Sequence, residues 1–275
     1  MNCPGGSRPP WWGGRLLSRP ERATSVWRAT LRLLRALGHL GAGMLIIVFV
    51  FPRLSQPQKE MRVQAWSMAL LNRLGIRLKV IGQAGQQGPL LLVANHISWL
   101  DITALHAARY CRFVSKADIK GWPVIGALAA GVGTLFIQRE SRRDAMRIVH
   151  HMAQSLREGD VLGVFPEGTT SDGVKLLPFH ANLLQAAIAA DAPVQPVALQ
   201  FVSSRTGEMS QAPCYVGSDT LLDSVWRTLR APGITVQVVF GAIERHQGRD
   251  RRAWAGDLRQ GIEQLRQDQL PPPHA

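Results

Sequence analysis

"PLLLVANHISWLD", residues 89–101, is the stretch on which the reading of this chain turns. Leu90 to Ala94 form an apolar run of strand length. The pattern then becomes polar and afterwards helical, with a helix expected from about Ser98 to Arg109. A strand that passes straight into a helix is the repeating unit of α/β folds, whose sites commonly lie at such junctions. This junction carries His96 and Asp101, and locally two readings of the pair stand open. Ser98 can cap the helix, with Asp101 three residues on as the acid of a capping box. Alternatively, His96 is a base and Asp101 the acid that orients it. Residues five apart in a regular helix point about 140° from each other, so the pair meets only if His96 precedes the helix on a turning backbone.

Outward from this junction, the chain alternates short apolar runs with longer amphipathic ones. "IRLKVIG" precedes it as a strand, across the turn-rich "QAGQQG". Further strands are expected at "CRFVSK", "TLFIQR", "VLGVFPEG", "PVQPVALQFV" and "ITVQVVFGAI". Helices are expected across "SRRDAMRIVHHMAQSLREGD" and "ANLLQAAIAAD". The alternation predicts an α/β domain, a mixed sheet flanked by helices, preceded by an N-terminal hydrophobic membrane-associating helical segment. No Gly-x-Gly-x-x-Gly or Walker-type loop occurs, so a nucleotide-binding fold is not supported.

Composition adds a basic surplus, mostly arginine: 32 Lys+Arg against 19 Asp+Glu. That surplus suits an anionic partner, either nucleic acid, a lipid surface or a phosphorylated substrate. The three cysteines, Cys3, Cys111 and Cys214, show no metal or disulfide spacing, consistent with a reducing compartment. The N-terminal third decides for membrane over nucleic acid. Arg8, Arg15, Arg19, Arg22, Arg28, Arg32 and Arg35 stand against the single acid Glu21, and "ALGHLGAGMLIIVFVF", residues 36–51, follows without a formal charge. These sixteen residues fall short of the roughly 20 that cross a bilayer upright, although snorkelling arginines extend the reach. The positive-inside rule keeps the arginine-rich side cytoplasmic, and no cleavage site follows the run. "MRVQAWSMALLNRLGI", residues 61–76, is a second helix, either interfacial or capping a core.

Beyond the opening junction, three loops at strand ends carry candidate chemistry. "FPEGTTS", residues 165–171, sets Glu167 and three hydroxyls on a tight turn; "GTLFIQR", residues 133–139, ends on Arg139; "APVQPVAL", residues 192–199, holds paired prolines. Taken together and in this order, they make the chain resemble the 1-acylglycerol-3-phosphate O-acyltransferase family over about residues 75–245. His96 and Asp101, with Asn95, fit its His-x4-Asp motif, and Gly133, Phe136, Ile137 and Arg139 its Gly-x-x-Phe-x-x-Arg block. Phe165 to Ser171 fit its Phe-Pro-Glu-Gly block and Val194 to Val197 its late proline block. The chain departs from the pattern at Thr170, where an arginine is common. It departs again at His180 and Asn182, where Lys and Gly are frequent. Both departures bear on the acceptor headgroup.

The resemblance implies transfer of a fatty acyl group from acyl-CoA or acyl-carrier protein to the sn-2 hydroxyl of 1-acylglycerol-3-phosphate (lysophosphatidic acid). His96 then acts as general base and Asp101 fixes its tautomer. The substrate hydroxyl attacks directly, so no acyl-enzyme forms. Substrate-binding roles fall to Asn95, Lys116, Arg139, Glu167, Gly168 and Thr169, with Arg139 on the phosphate and Glu167 on the glycerol hydroxyls. No metal and no bound cofactor are implied; the partners are membrane lipids, the lysolipid acceptor and the acyl donor, with no nucleic acid. The expected location is the cytoplasmic face of the inner membrane. The expected divisions are a poorly ordered basic segment at 1–30, membrane-associating helices at 31–74, the acyltransferase domain at 75–245, and a C-terminal helix and tail at 246–275. Three rival readings are weighed: an acyltransferase for another lysolipid such as lyso-ornithine lipid, a non-catalytic lipid-binding protein, and a hydrolase, which lacks its Gly-x-Ser-x-Gly elbow.

Overall fold

The computed structural model describes residues 23–137, 142–217 and 219–270. Its centre is a seven-stranded mixed sheet in the order β1-β7-β6-β2-β5-β3-β4. The strands are β1 (Ile76–Ile81), β2 (Leu90–Ala94), β3 (Arg112–Lys116), β4 (Leu135–Ile137), β5 (Val161–Val164), β6 (Val194–Ser203) and β7 (Ile234–Phe240). β2 pairs in parallel with both β5 and β6, while β6 and β7 run antiparallel. The carboxyl ends of β2, β5, β3, β4 and β6 therefore lie along one edge of the sheet.

Alternation along β2 explains its central place. Leu90, Leu92 and Ala94 join the core on one face, whereas Leu91 and Val93 join the core on the other. The first core is closed by α1 (Val26–Leu45), α2 (Gln56–Leu74), α3 (Asp101–Ala108) and α7 (Leu221–Arg230). The second is closed by α5 (Arg142–Arg157), α6 (Leu184–Ala189) and α8 (Arg251–Gln267), with Trp254 and Leu258 buried against the strands. A strand buried on both faces has no need of a polar alternate, hence the unbroken apolar run.

The N-terminal helices are docked on this domain. α1 begins at Val26, inside the segment expected to lack order, because Ser25 caps it and Ala29 is buried against the domain. Thr24 donates its N–H to Arg230 O, and Arg32 donates to Leu229 O at 3.1 Å. His39 and Trp66 stack with ring centroids 4.7 Å apart, joining α1 to α2. Gly43 permits this closeness, since a β-carbon there would lie 2.7 Å from the Trp66 ring nitrogen. Past Leu45 the helix widens over Ile46–Val50 and tightens over Phe51–Arg53, where Pro52 ends it. The stretch Val26–Arg53 is long and apolar enough to cross a membrane by length and composition. Its outward face exposes Trp27, Leu34, Leu37, Leu45, Val48 and Phe49.

Two helices, α4 (Ile125–Gly131) and α7, lie outside the helices expected from the sequence. Elsewhere the boundaries shift modestly. α3 begins at Asp101 and not at Ser98, and the helix expected at 181–191 opens with a tighter turn at Ala181–Leu183.

Candidate active site

β2 ends at Ala94, and the chain turns for six residues before α3 begins at Asp101. Within that turn Asp101 Oδ2 accepts the amides of Ile97 at 2.6 Å and Ser98 at 2.9 Å. The same oxygen lies 2.7 Å from His96 Nδ1. The turn thus brings the histidine back over the first helical residue, a geometry that a regular helix forbids. Asp101 is fully buried, while the His96 side chain is 19% exposed. A carboxylate can only accept, so Nδ1 carries the proton and Nε2 is left as the basic nitrogen. Ser98 does not cap α3: its hydroxyl donates to Pro213 O at 2.6 Å and accepts the Leu100 amide.

The loop after β5 meets this turn. Phe165 stacks on the His96 imidazole, centroids 4.1 Å apart and planes 9° from parallel. Ser171 donates its N–H to His96 O at 2.8 Å, and its hydroxyl donates to the same oxygen. Glu167 is buried, its Oε1 accepting the His96 amide at 2.7 Å and its Oε2 the Leu177 amide at 2.9 Å. Burial pushes the Glu167 carboxyl above its usual range; the two amides and the His96 ring oppose that rise. Gly168 has φ 72°, a left-handed conformation that glycine adopts without strain and that turns the chain back. Thr169 is exposed at the tip of the loop. The Thr170 hydroxyl donates to Tyr215 O, and the Tyr215 amide donates to Ile97 O at 3.2 Å. The 213–215 segment therefore ties the two site loops together from above the sheet edge.

The other expected ligands divide. Asn95 is fully buried, and both ends of its amide bind Leu199: Nδ2 to the carbonyl at 3.0 Å, Oδ1 from the N–H at 2.7 Å. It joins β2 to β6, with both ends of its amide engaged by Leu199. Lys116 closes β3, at the same sheet edge as His96. Arg139 lies outside the described residues. Phe165, Ser171 and Ser98, which sequence reasoning gave no role at His96, make contacts there or in its turn.

Among the described residues, the cysteine and serines of these loops are not activated nucleophiles. Burial pushes the Cys214 thiol up to about 11, with Asp101 adding to the rise, so it stays protonated at neutral pH. The Ser98 and Ser171 hydroxyls are both engaged by carbonyls. What remains is an oriented, partly exposed imidazole, suited to taking a proton from an external hydroxyl. A cavity of about 290 Å³, with Lys59, Tyr110 and Arg112 in its wall, lies at the amino ends of β3 and β5, away from this edge.

A mixed sheet with an oriented histidine at the carboxyl end of a central strand is a frame that suits acyl transfer to an external hydroxyl. In agreement, the family model described as Acyltransferase matches residues 77–200. The chain is 37% identical over 241 residues to the lyso-ornithine lipid O-acyltransferase of Pseudomonas aeruginosa, covering 86% of this chain and 92% of that protein. It is 38% identical over 205 residues to the 1-acyl-sn-glycerol-3-phosphate acyltransferase of Neisseria gonorrhoeae, covering 73% and 78%. The crystal structure of the 1-acyl-sn-glycerophosphate acyltransferase PlsC of Thermotoga maritima shares the fold, with a TM-score of 0.59 at 19% identity over 86% of this chain and 98% of that one. The chain belongs to the 1-acylglycerol-3-phosphate O-acyltransferase family of lysolipid acyltransferases.

Proposed function

We propose that this enzyme moves a fatty acyl group from acyl-CoA or acyl-carrier protein to the sn-2 hydroxyl of 1-acylglycerol-3-phosphate, giving phosphatidic acid. The observation that carries the chemistry is the 2.7 Å contact between His96 Nδ1 and Asp101, which leaves Nε2 free to accept a proton. As the lysolipid hydroxyl attacks the thioester carbonyl, Nε2 takes its proton and Asp101 stabilises the imidazolium. Collapse of the tetrahedral intermediate breaks the carbon–sulfur bond, and the imidazolium returns the proton to the departing thiolate. The net charge of +13 and the phosphate-bearing acceptor named for the Neisseria relative support the anionic lysolipid.

A second acceptor, lyso-ornithine lipid, is favoured by one feature of the site. Thr170 stands where family members commonly carry an arginine, and its hydroxyl is engaged by Tyr215 O. That position supplies no cation to a phosphate. The Pseudomonas relative named for this acceptor aligns over nearly its whole length.

We also propose attachment to the cytoplasmic face of the inner membrane through the outward face of α1. The helix is packed along the catalytic domain, so its apolar side meets lipid while its other side stays on protein. Purified enzyme in detergent, given labelled acyl-CoA and a panel of lysolipids, tests the acceptor. Transfer to lysophosphatidic acid supports the first reading. Transfer to lyso-ornithine lipid alone replaces it with the second, and transfer to neither removes both.

A further inference from the structure

By resemblance Glu167 belongs to the acceptor's hydroxyls. Its geometry says otherwise. Glu167 is 4% exposed, and each of its oxygens already accepts a backbone N–H, from His96 at 2.7 Å and from Leu177 at 2.9 Å. His96 lies beyond the end of β2 and before the start of α3, so neither sheet nor helix supplies its amide with a partner. Without Glu167 that N–H would be left unpaired beside a buried loop.

We propose that Glu167 is a positioning residue for the base, and that residues 165–171 form the mount on which His96 is fixed. His96 is held at four points, and Nε2 is not among them. Its N–H goes to Glu167, its carbonyl to the amide and hydroxyl of Ser171, and its ring face to Phe165. Asp101 holds the fourth point, Nδ1. Three of these four grips come from one seven-residue loop, which follows the neighbouring strand β5 and lies some 70 residues away in sequence. The carboxylate suits this role chemically, because its two oxygens accept equally and can join two amides. A carboxamide cannot, since one of its ends is a donor that would face a donor. Through Leu177 the same carboxylate ties the His96 turn to the segment that follows the mount. Glu167 thus acts through His96 and sets where Nε2 points. This rests on the acyl-transfer reading for its kinetic consequence, though not for its structural one.

The test is Glu167→Gln, with kcat and the lysolipid KM measured separately. A base displaced by about 1 Å loses turnover by roughly 100-fold. The expected result is that loss in kcat with a lysolipid KM within about twofold of wild type, the signature of an interaction absent from ground-state binding. A raised KM with kcat retained would make Glu167 a hydroxyl ligand and overturn the proposal. If Glu167→Gln does not fold, Ser171→Ala and Phe165→Leu carry the same split, and a KM effect from both would overturn it equally. A readout independent of turnover is the Nδ1 proton of His96, followed by NMR on histidine-labelled protein. Its downfield resonance is expected to broaden or vanish in Glu167→Gln while other imidazole signals stay; an unchanged resonance contradicts the mount. Wild-type protein that acylates no lysolipid would defeat the acyl-transfer reading alone and leave this measurement to decide the role of Glu167.

Discussion

Asp101 Oδ2 lies 2.7 Å from His96 Nδ1 and also accepts the amides of Ile97 and Ser98. One oxygen therefore shapes the turn and orients the base. In Asp101→Asn the carbonyl oxygen can still receive the two amides, but the anion that stabilises imidazolium is gone. Turnover is expected to fall by about 10³ to 10⁴, with lysolipid KM little changed. Initial rates on protein that melts cooperatively check this.

Asn95 offers a contrast, a motif residue whose effect is on stability. Asn95→Ala leaves the Leu199 N–H and carbonyl without their partners in a fully buried place. The expected cost is about 2–4 kcal/mol of unfolding free energy. Urea denaturation measures it, and the lysolipid KM of the folded fraction should match wild type.

His106 is expected to make the fold acid-sensitive. Burial pushes its imidazole down to about 4, with only partial relief from the Cys111 carbonyl. Between that value and the ordinary value of 6.5, the unfolded chain binds a proton that the folded chain does not. Stability from this group is therefore complete above about pH 6.5 and is lost as pH falls toward 4. The loss is on the order of 3 kcal/mol. Urea midpoints at pH 7 and pH 4.5 should differ less in His106→Gln than in wild type.

The apolar outward face of α1 is expected to hold the enzyme on lipid. Leu37 and Phe49 are both more than half exposed, so charging them disturbs no core contact. Leu37→Glu with Phe49→Glu should weaken partition onto anionic vesicles by about 10² to 10⁴, given the roughly 1.5–3 kcal/mol that each such side chain contributes when buried. Sedimentation with vesicles reads this directly, while thermal unfolding in detergent should stay the same.

Legibility in the sequence followed the range of the interactions. The strands were readable because Leu90 to Ala94 and Val194 to Val202 announce burial within a few residues. His96 and Asp101 were readable because their contact spans five positions and their spacing fits a known motif. Asn95 and Glu167 matched motif positions too, yet their partners lie 104 and 71 residues away, and only folding shows that these partners are backbone. Phe165 and Ser171 carry no local mark of a role at His96 for the same reason. α7 had a usable signal, Thr220 capping the Asp223 amide ahead of an amphipathic run. α4 is seven residues, with Gly126 second and Gly131 last, too short for periodicity to single out.

The most direct test of the central claim is the turnover of His96→Ala, measured with labelled acyl-CoA and lysophosphatidic acid beside equilibrium binding of the lysolipid. Loss of the base is expected to lower kcat by about 10² to 10⁴ while lysolipid affinity is retained. Turnover equal to wild type in a folded His96→Ala protein would contradict the assignment of His96 as the base.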